Sequence, residues 1–245
     1  MTAVKTVGLT KRYGAKTAVD GLNLSVGEGE LYSLLGVNGA GKTTTIRMLT
    51  TLSAPTSGEA FILGHNCVTE RAAVKQLVGI SPQDTAVAEN LTVEENLAFM
   101  ETVYGIEGAR REELTKEIRS LFSLDEVWKS RAKTLSGGWK RKLSIAMALI
   151  GEPKVLFLDE PTLGLDVLAR RELWKAVESL KGRITIVLTT HYMEEAEALS
   201  DRIAVMLAGR LAAEGTLAEI EDLAGVKGQE NAFVALAGEG RDLHA

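Results

Sequence analysis

The eight residues from Gly36 to Thr43 constrain this chain more than anything else in it. They read Gly-Val-Asn-Gly-Ala-Gly-Lys-Thr and fit the pattern G-x-x-x-x-G-K-[ST] without a mismatch. An apolar run, Glu30 to Leu35, leads into them, and Lys42 to Leu52 then reads as a helix. Glycines let backbone N–H groups curl around phosphate oxygens with no Cβ in the way. The start of the helix adds its partial positive charge. Gly36, Asn38, Gly39, Ala40, Gly41, Lys42, Thr43 and Thr44 are therefore the expected phosphate-binding positions. Lys42 should bridge the β- and γ-phosphates, and the Thr43 hydroxyl should ligate Mg2+.

A second signal lies far along the chain. Val155 to Leu158 is a run of four apolar residues, as expected of a strand covered on both faces. It ends in Asp159 and Glu160, at what should be the carboxyl end of a central strand, where open α/β sheets bind ligands. Asp159 is placed to hold Mg2+, directly or through water, and Glu160 to polarise an attacking water. Together with the phosphate loop, this pair describes a P-loop nucleoside triphosphatase. Leu135-Ser-Gly-Gly138 precedes another helix, so Ser136, Gly137 and Gly138 form a second anion-binding helix start. An ordinary serine N-cap would look the same. One triphosphate has little use for two such loops, but two copies packed head to tail could each lend theirs to the other.

The remaining chain reads as α/β alternation around a helical insertion. Leu22–Val26 and Gly58–Leu63 look like strands, as do Ile184–Leu188 and Ile203–Leu207. Thr92-Val-Glu-Glu95 is a capping box, and from about Thr92 to Arg131 the chain looks helical throughout. Val93, Leu97, Met100 and Tyr104 form one apolar stripe, and Leu114, Ile118, Leu121 and Phe122 another. Lys142–Ile150 and Leu168–Leu180 are further helices. The expected division is residues 1–84 and 135–224 for an ATP-binding core, 85–134 for a helical subdomain and 225–245 for a polar tail. The fold class is α/β, with a mostly parallel sheet and N-terminal antiparallel strands.

Composition narrows the classes of function. Apolar residues at 45% and charged residues at 25% are those of a soluble globular chain, which excludes a disordered one. The net charge of −5 gives no reason to expect nucleic acid as a partner. The single cysteine, Cys67, excludes an internal disulfide framework and reads as a partly buried free thiol in a reducing cytosol. No run approaches the ~18–20 apolar residues that span a bilayer, and the first residues hold no signal-peptide core. If the protein works at a membrane, another polypeptide is expected to do the spanning.

Five motifs in one order make the chain resemble the ATP-binding subunits of ABC transporters, from about Val4 to Glu219. They are Gly41-Lys42-Thr43, Gln83 in Ile-Ser-Pro-Gln-Asp, Leu135-Ser-Gly-Gly, Leu158-Asp159-Glu160-Pro161-Thr162 and Thr189-Thr-His191. Tyr13 matches the aromatic on which adenine stacks, and Gly164-Leu-Asp166 the loop that crosses the dimer interface. The resemblance implies that Gln83 reaches Mg2+ and the attacking water, and that His191 donates to the γ-phosphate. It implies ATP hydrolysis by a head-to-tail dimer, with a homodimer expected, coupled to a membrane-spanning permease subunit from the cytoplasmic face of the cell membrane. The segments beginning at Thr51, Trp139 and Thr189 point to the drug-resistance and lipid-exporter branch. A soluble ABC-type ATPase of translation or DNA repair is the alternative. Trp139 stands where the family usually has Gln, and Leu163 where it usually has Ser.

Overall fold

The computed structural model describes residues 1–226 together with Asn231 and Ala235. The chain opens with β1 (Thr2–Tyr13), β2 (Lys16–Leu22), β3 (Ser25–Gly27) and β4 (Leu31–Leu35), then α1 (Lys42–Leu49). Next come β5 (Ser57–Ile62), β6 (His65–Asn66), α2 (Arg71–Leu77) and β7 (Val78–Ser81). Three helices follow: α3 (Val93–Val103), α4 (Gly108–Phe122) and α5 (Gly137–Leu149). The last part is β8 (Val155–Asp159), α6 (Val167–Glu178), β9 (Thr185–Thr190), α7 (Met193–Leu199), β10 (Arg202–Leu207), β11 (Arg210–Gly215) and α8 (Leu217–Ala224).

Uninterrupted apolar runs need cover on both faces, and they supply the centre of the larger sheet. Its order is β11-β10-β4-β9-β8-β7, and every pairing is parallel except the β10–β11 edge. Side chains alternate between its faces. Leu156, Leu158, Ile186 and Leu188 meet the helical layer, while Val155, Phe157 and Val187 share a core with α1 and the second sheet. That second sheet is antiparallel, ordered β2-β1-β5-β6 with β3 also on β1. The parallel registers pair Ser81 with Leu158, Asp159 with Thr189 and Leu35 with Thr190. Four strands therefore end together, and the residues that follow them (Gly36, Gln83, Glu160 and His191) are delivered to one edge.

Several boundaries differ from the sequence expectation. Leu22–Val26 is not one strand. β2 ends at Leu22 and β3 begins at Ser25, because the Thr6 hydroxyl donates to Leu22 O and accepts from Leu24 N–H, and Asn23 takes the Gly8 N–H. The first helix stops at Leu49 rather than Leu52, where Thr50 caps it and Thr51 turns left-handed at φ 63°. The stretch from Thr92 to Arg131 is two helices and a short 3-10 turn, broken after Val103, since Gly105 leaves helical space at φ 66°. Tyr104 leaves the buried stripe and is 41% exposed, its ring lying against Gly151. The helix expected from Lys142 starts at Gly137, because Ser136 caps it. From Lys227 onward, apart from Asn231 and Ala235, the expected polar tail lies outside the described residues.

Cys67 is buried, and desolvation pushes its thiol up to about 12. At pH 8 only about one molecule in 10⁴ would carry the reactive thiolate. Iodoacetamide should therefore leave the native protein unlabelled and add one adduct after denaturation, as read by intact mass. Rapid native labelling would show that the Cys67 site opens.

Candidate active site

The phosphate loop hangs between β4 and α1 because its backbone permits a turn that side chains would block. Gly41, at φ 102°, is the N-cap of α1, and a Cβ there would sit 2.5 Å from Ala18 O. The loop is pinned by Ala40 N–H to Val37 O at 3.1 Å and by Gly209 N–H to Ala40 O at 3.1 Å. Asn38, Gly39, Ala40, Gly41, Lys42, Thr43 and Thr44 line one cleft of about 280 Å³, together with Gln83 and Glu160. Lys16 and Ala18 line it too, and no sequence pattern singled them out; the β1–β2 hairpin brings them there.

Lys42 is the cleft's buried cation. Its Nζ donates to Gly36 O at 2.6 Å and Val37 O at 3.3 Å, and pairs with Glu160 Oε1 at 3.0 Å. Both partners are only 5% exposed. The other Glu160 oxygen meets His191 Nδ1 at 2.7 Å. Glu160 itself sits at φ 49°, held there by its N–H, which lies 3.1 Å from Thr189 O and 3.0 Å from Thr189 Oγ1. One carboxylate thus bridges the phosphate loop and the histidine that follows β9. Asp159 Oδ1 accepts from Thr43 Oγ1 at 3.0 Å and Thr189 Oγ1 at 2.5 Å.

This donor set fits a triphosphate with a hard divalent cation. Thr43 and Asp159 offer oxygen ligands side by side, with exposed Gln83 on the same cleft. Among the described residues no group of three or more His, Cys, Asp or Glu side chains could hold a metal. A magnesium ion bound here would complete its shell with phosphate oxygens and water, as that ion usually does.

Sequence reasoning missed two buried charged side chains, one of which braces the cleft. Arg141, buried on α5, donates to Pro82 O at 2.6 Å and Gln83 O at 2.5 Å, and a Ser81–Ser144 hydroxyl pair at 2.9 Å adds a second link. Burial holds the Arg141 guanidinium below its usual range. Glu195, wholly buried on α7, accepts from Trp174 Nε1 at 3.0 Å, and burial pushes its carboxyl up. Flanked by Lys140 and Lys142, Arg141 reads in the sequence as part of a basic stretch and gives no signal of this role.

The other expected positions lie apart from this cleft. Ser136 caps α5, accepting from Trp139 N–H at 3.5 Å, and with Gly138 it lines a separate hollow of about 560 Å³ that shares no residue with the first. Gly137 follows it as the first residue of α5. Asp166 caps α6, its Oδ1 accepting from Leu168 N–H at 2.9 Å and Ala169 N–H at 3.0 Å. Tyr13 is 49% exposed at the end of β1, paired with Lys16 across the hairpin. The expected positions are therefore divided between two clefts, one holding Lys42, Thr43 and Glu160 and the other Ser136 and Gly138.

Comparisons with known proteins bear on the family and the fold. The sequence profile of the ABC transporter family matches residues 19–163. The daunorubicin/doxorubicin resistance ATP-binding protein DrrA of Streptomyces peucetius is 44% identical over 224 residues, which are 91% of this chain and 68% of that protein. A solved ATP binding subunit of an ABC transporter has a TM-score of 0.86 at 30% identity, over 96% of this chain and 99% of that one. The ATP-binding cassette MJ0796, a dimer in a post-hydrolysis state bound to ADP and Pi, has a TM-score of 0.77 at 25% identity, over 87% of this chain and 98% of that one.

Proposed function

The chain belongs to the ABC transporter family, as an ATP-binding ATPase subunit, and we propose that two copies close head to tail around ATP to drive export through a separate membrane-spanning subunit. One observation carries the catalytic part: Glu160 is bonded at once to Lys42 and to His191 at the edge of the phosphate cleft. In this reading Lys42 exchanges Glu160 for the β- and γ-phosphate oxygens. Glu160, released, takes the proton of an attacking water. His191, whose ring N–H is shared with Glu160, turns it to a γ-phosphate oxygen once Glu160 has moved. Thr43, Asp159 and Gln83 would hold Mg2+, which neutralises charge on the phosphates. Phosphoryl transfer then depends on positioning and charge stabilisation more than on covalent chemistry. Tyr13 stacks on adenine, and the partner copy supplies Ser136 with the Gly137 and Gly138 N–H groups.

Surface character supports both partners. Val37 in the loop, and Leu163, Val167 and Leu168 around Asp166, are exposed apolar residues on the segments that a second copy would meet. Leu163 in place of a serine adds to that patch. On α3, Phe99 and Val103 lie one turn apart, 58% and 60% exposed. That face belongs to the helical subdomain proposed at residues 85–134, rooted at Gln83, and we assign it to the permease. Among the described residues no helix is long and apolar enough to cross a membrane. We place the chain on the cytoplasmic face of the membrane, held there by the permease. The drug-resistance relative favours export over the translation and repair ATPases.

Tagged protein from its native host should sediment with membranes and, after mild detergent, bring down an apolar partner. Phe99→Glu or Val103→Glu should release it while ATP binding persists. Protein that stays monomeric and partnerless in every extract would remove the transporter reading.

A further inference from the structure

Trp139 stands in the first turn of α5, just after Ser136, Gly137 and Gly138. The structure turns it inward. Its ring lies over the Lys142 ammonium, 4.4 Å from Nζ to the ring centroid, one helical turn along α5. Lys142 is largely buried, and its Nζ donates to Glu172 Oε2 of α6 at 2.8 Å. The indole covers the ammonium on one side and lines the same hollow as Ser136 and Gly138.

The two helix starts meet at a second level as well. A Cβ on Gly138 would lie 3.2 Å from the Cβ of Ala169, so glycine allows the close approach. The N–H of the same Ala169 is held by Asp166. The cap of α6 and the start of α5 are therefore joined through one residue, and joined again a turn later through Lys142 and Glu172. Both caps carry groups assigned above to the second copy, so their spacing sets how well two copies fit.

We propose that Trp139 is a positioning residue inside its own protomer. It covers Lys142, whose pair with Glu172 locks the Ser136 segment to the Asp166 loop, so that both meet the second copy as one unit. Position 139 then serves the shared site through the fold and makes no contact with the partner's ATP. The inference rests on the shared-site reading above.

The test uses the full chain carrying Glu160→Gln and reads the ATP concentration that gives half-maximal dimer on a sizing column. Trp139→Leu and Lys142→Met should each raise it by about three- to tenfold, in keeping with a partly desolvated cation–π contact. Combining them should raise it no further than either alone, since both remove one device. Trp139→Phe keeps a ring over the ammonium and should stay within about twofold. Glu172→Gln, at a position 63% exposed where folding is not at risk, should shift it in the same direction. ATP affinity of the monomer should not change. The proposal is overturned if Trp139→Leu acts while Lys142→Met and Glu172→Gln do not, if the two effects multiply, or if none of them shifts the dimer. Absence of any ATP-dependent dimer in the Glu160→Gln parent would instead remove the shared-site reading, and this proposal with it.

Discussion

Glu160→Gln is expected to lower ATP hydrolysis by about 10²–10⁴-fold, the usual worth of a positioned general base, while ATP binding persists or tightens. The substitution keeps size and removes charge and basicity. Lys42, Thr43 and Asp159 are untouched, so the phosphate and cation contacts stay. The structure supplies a reason for tighter binding. Lys42 is paired with the Glu160 carboxylate at 3.0 Å, and phosphate oxygens must displace that carboxylate before the ammonium can serve them. A neutral amide is the weaker competitor. Binding without turnover should leave the closed dimer populated, visible as an ATP-dependent doubling of mass. Turnover near the wild-type rate in this variant would falsify the assignment of Glu160 as the residue that activates water.

The cleft was legible in the sequence to the extent that its chemistry is local. The phosphate loop and the Asp159–Glu160 pair are short patterns whose strand and helix context can be read on either side. The mostly parallel sheet followed from apolar runs such as Val155–Leu158, and it is the parallel register that brings those patterns to one edge. What stayed hidden depends on tertiary pairing. Lys16 and Ala18 reach the cleft only through the β1–β2 hairpin. Arg141 reads as one more charge in a basic stretch until α5 is packed on the segment after β7, where it spans two consecutive carbonyls. Nor does the sequence say which way an indole turns, and the inward Trp139 came from Lys142 and Glu172. Leu22–Val26 divides into two strands for a similar reason: a single hydroxyl, Thr6, ends one strand pairing and starts the next.

Lys42→Ala should behave differently from Glu160→Gln in both binding and folding. Hydrogen bonds to a charged group are worth roughly 1.5–3 kcal/mol each, so losing two phosphate contacts should weaken ATP by about 100-fold or more. The nucleotide-dependent dimer should disappear with it. The same substitution also strips Glu160 of a partner at a site 5% exposed. Removing one half of a buried ion pair costs about 3–5 kcal/mol, because the remaining charge is left in a poor solvent. His191, hydrogen-bonded to Glu160 at 2.7 Å, can offset part of that. The Lys42→Ala protein should thus melt several degrees lower even without nucleotide, a loss unrelated to phosphate binding. Lys42→Ala combined with Glu160→Gln separates the two effects. The double variant should regain most of the melting temperature, since no unpaired carboxylate is left, yet should bind ATP no better than Lys42→Ala alone. Thermal melts without nucleotide, followed by ATP titrations, read both quantities on the same samples. Recovery of ATP affinity in the double variant would mean that Lys42 contributes little to the phosphates directly. Failure to recover stability would mean that the buried pair is not what holds the phosphate loop to the end of β8.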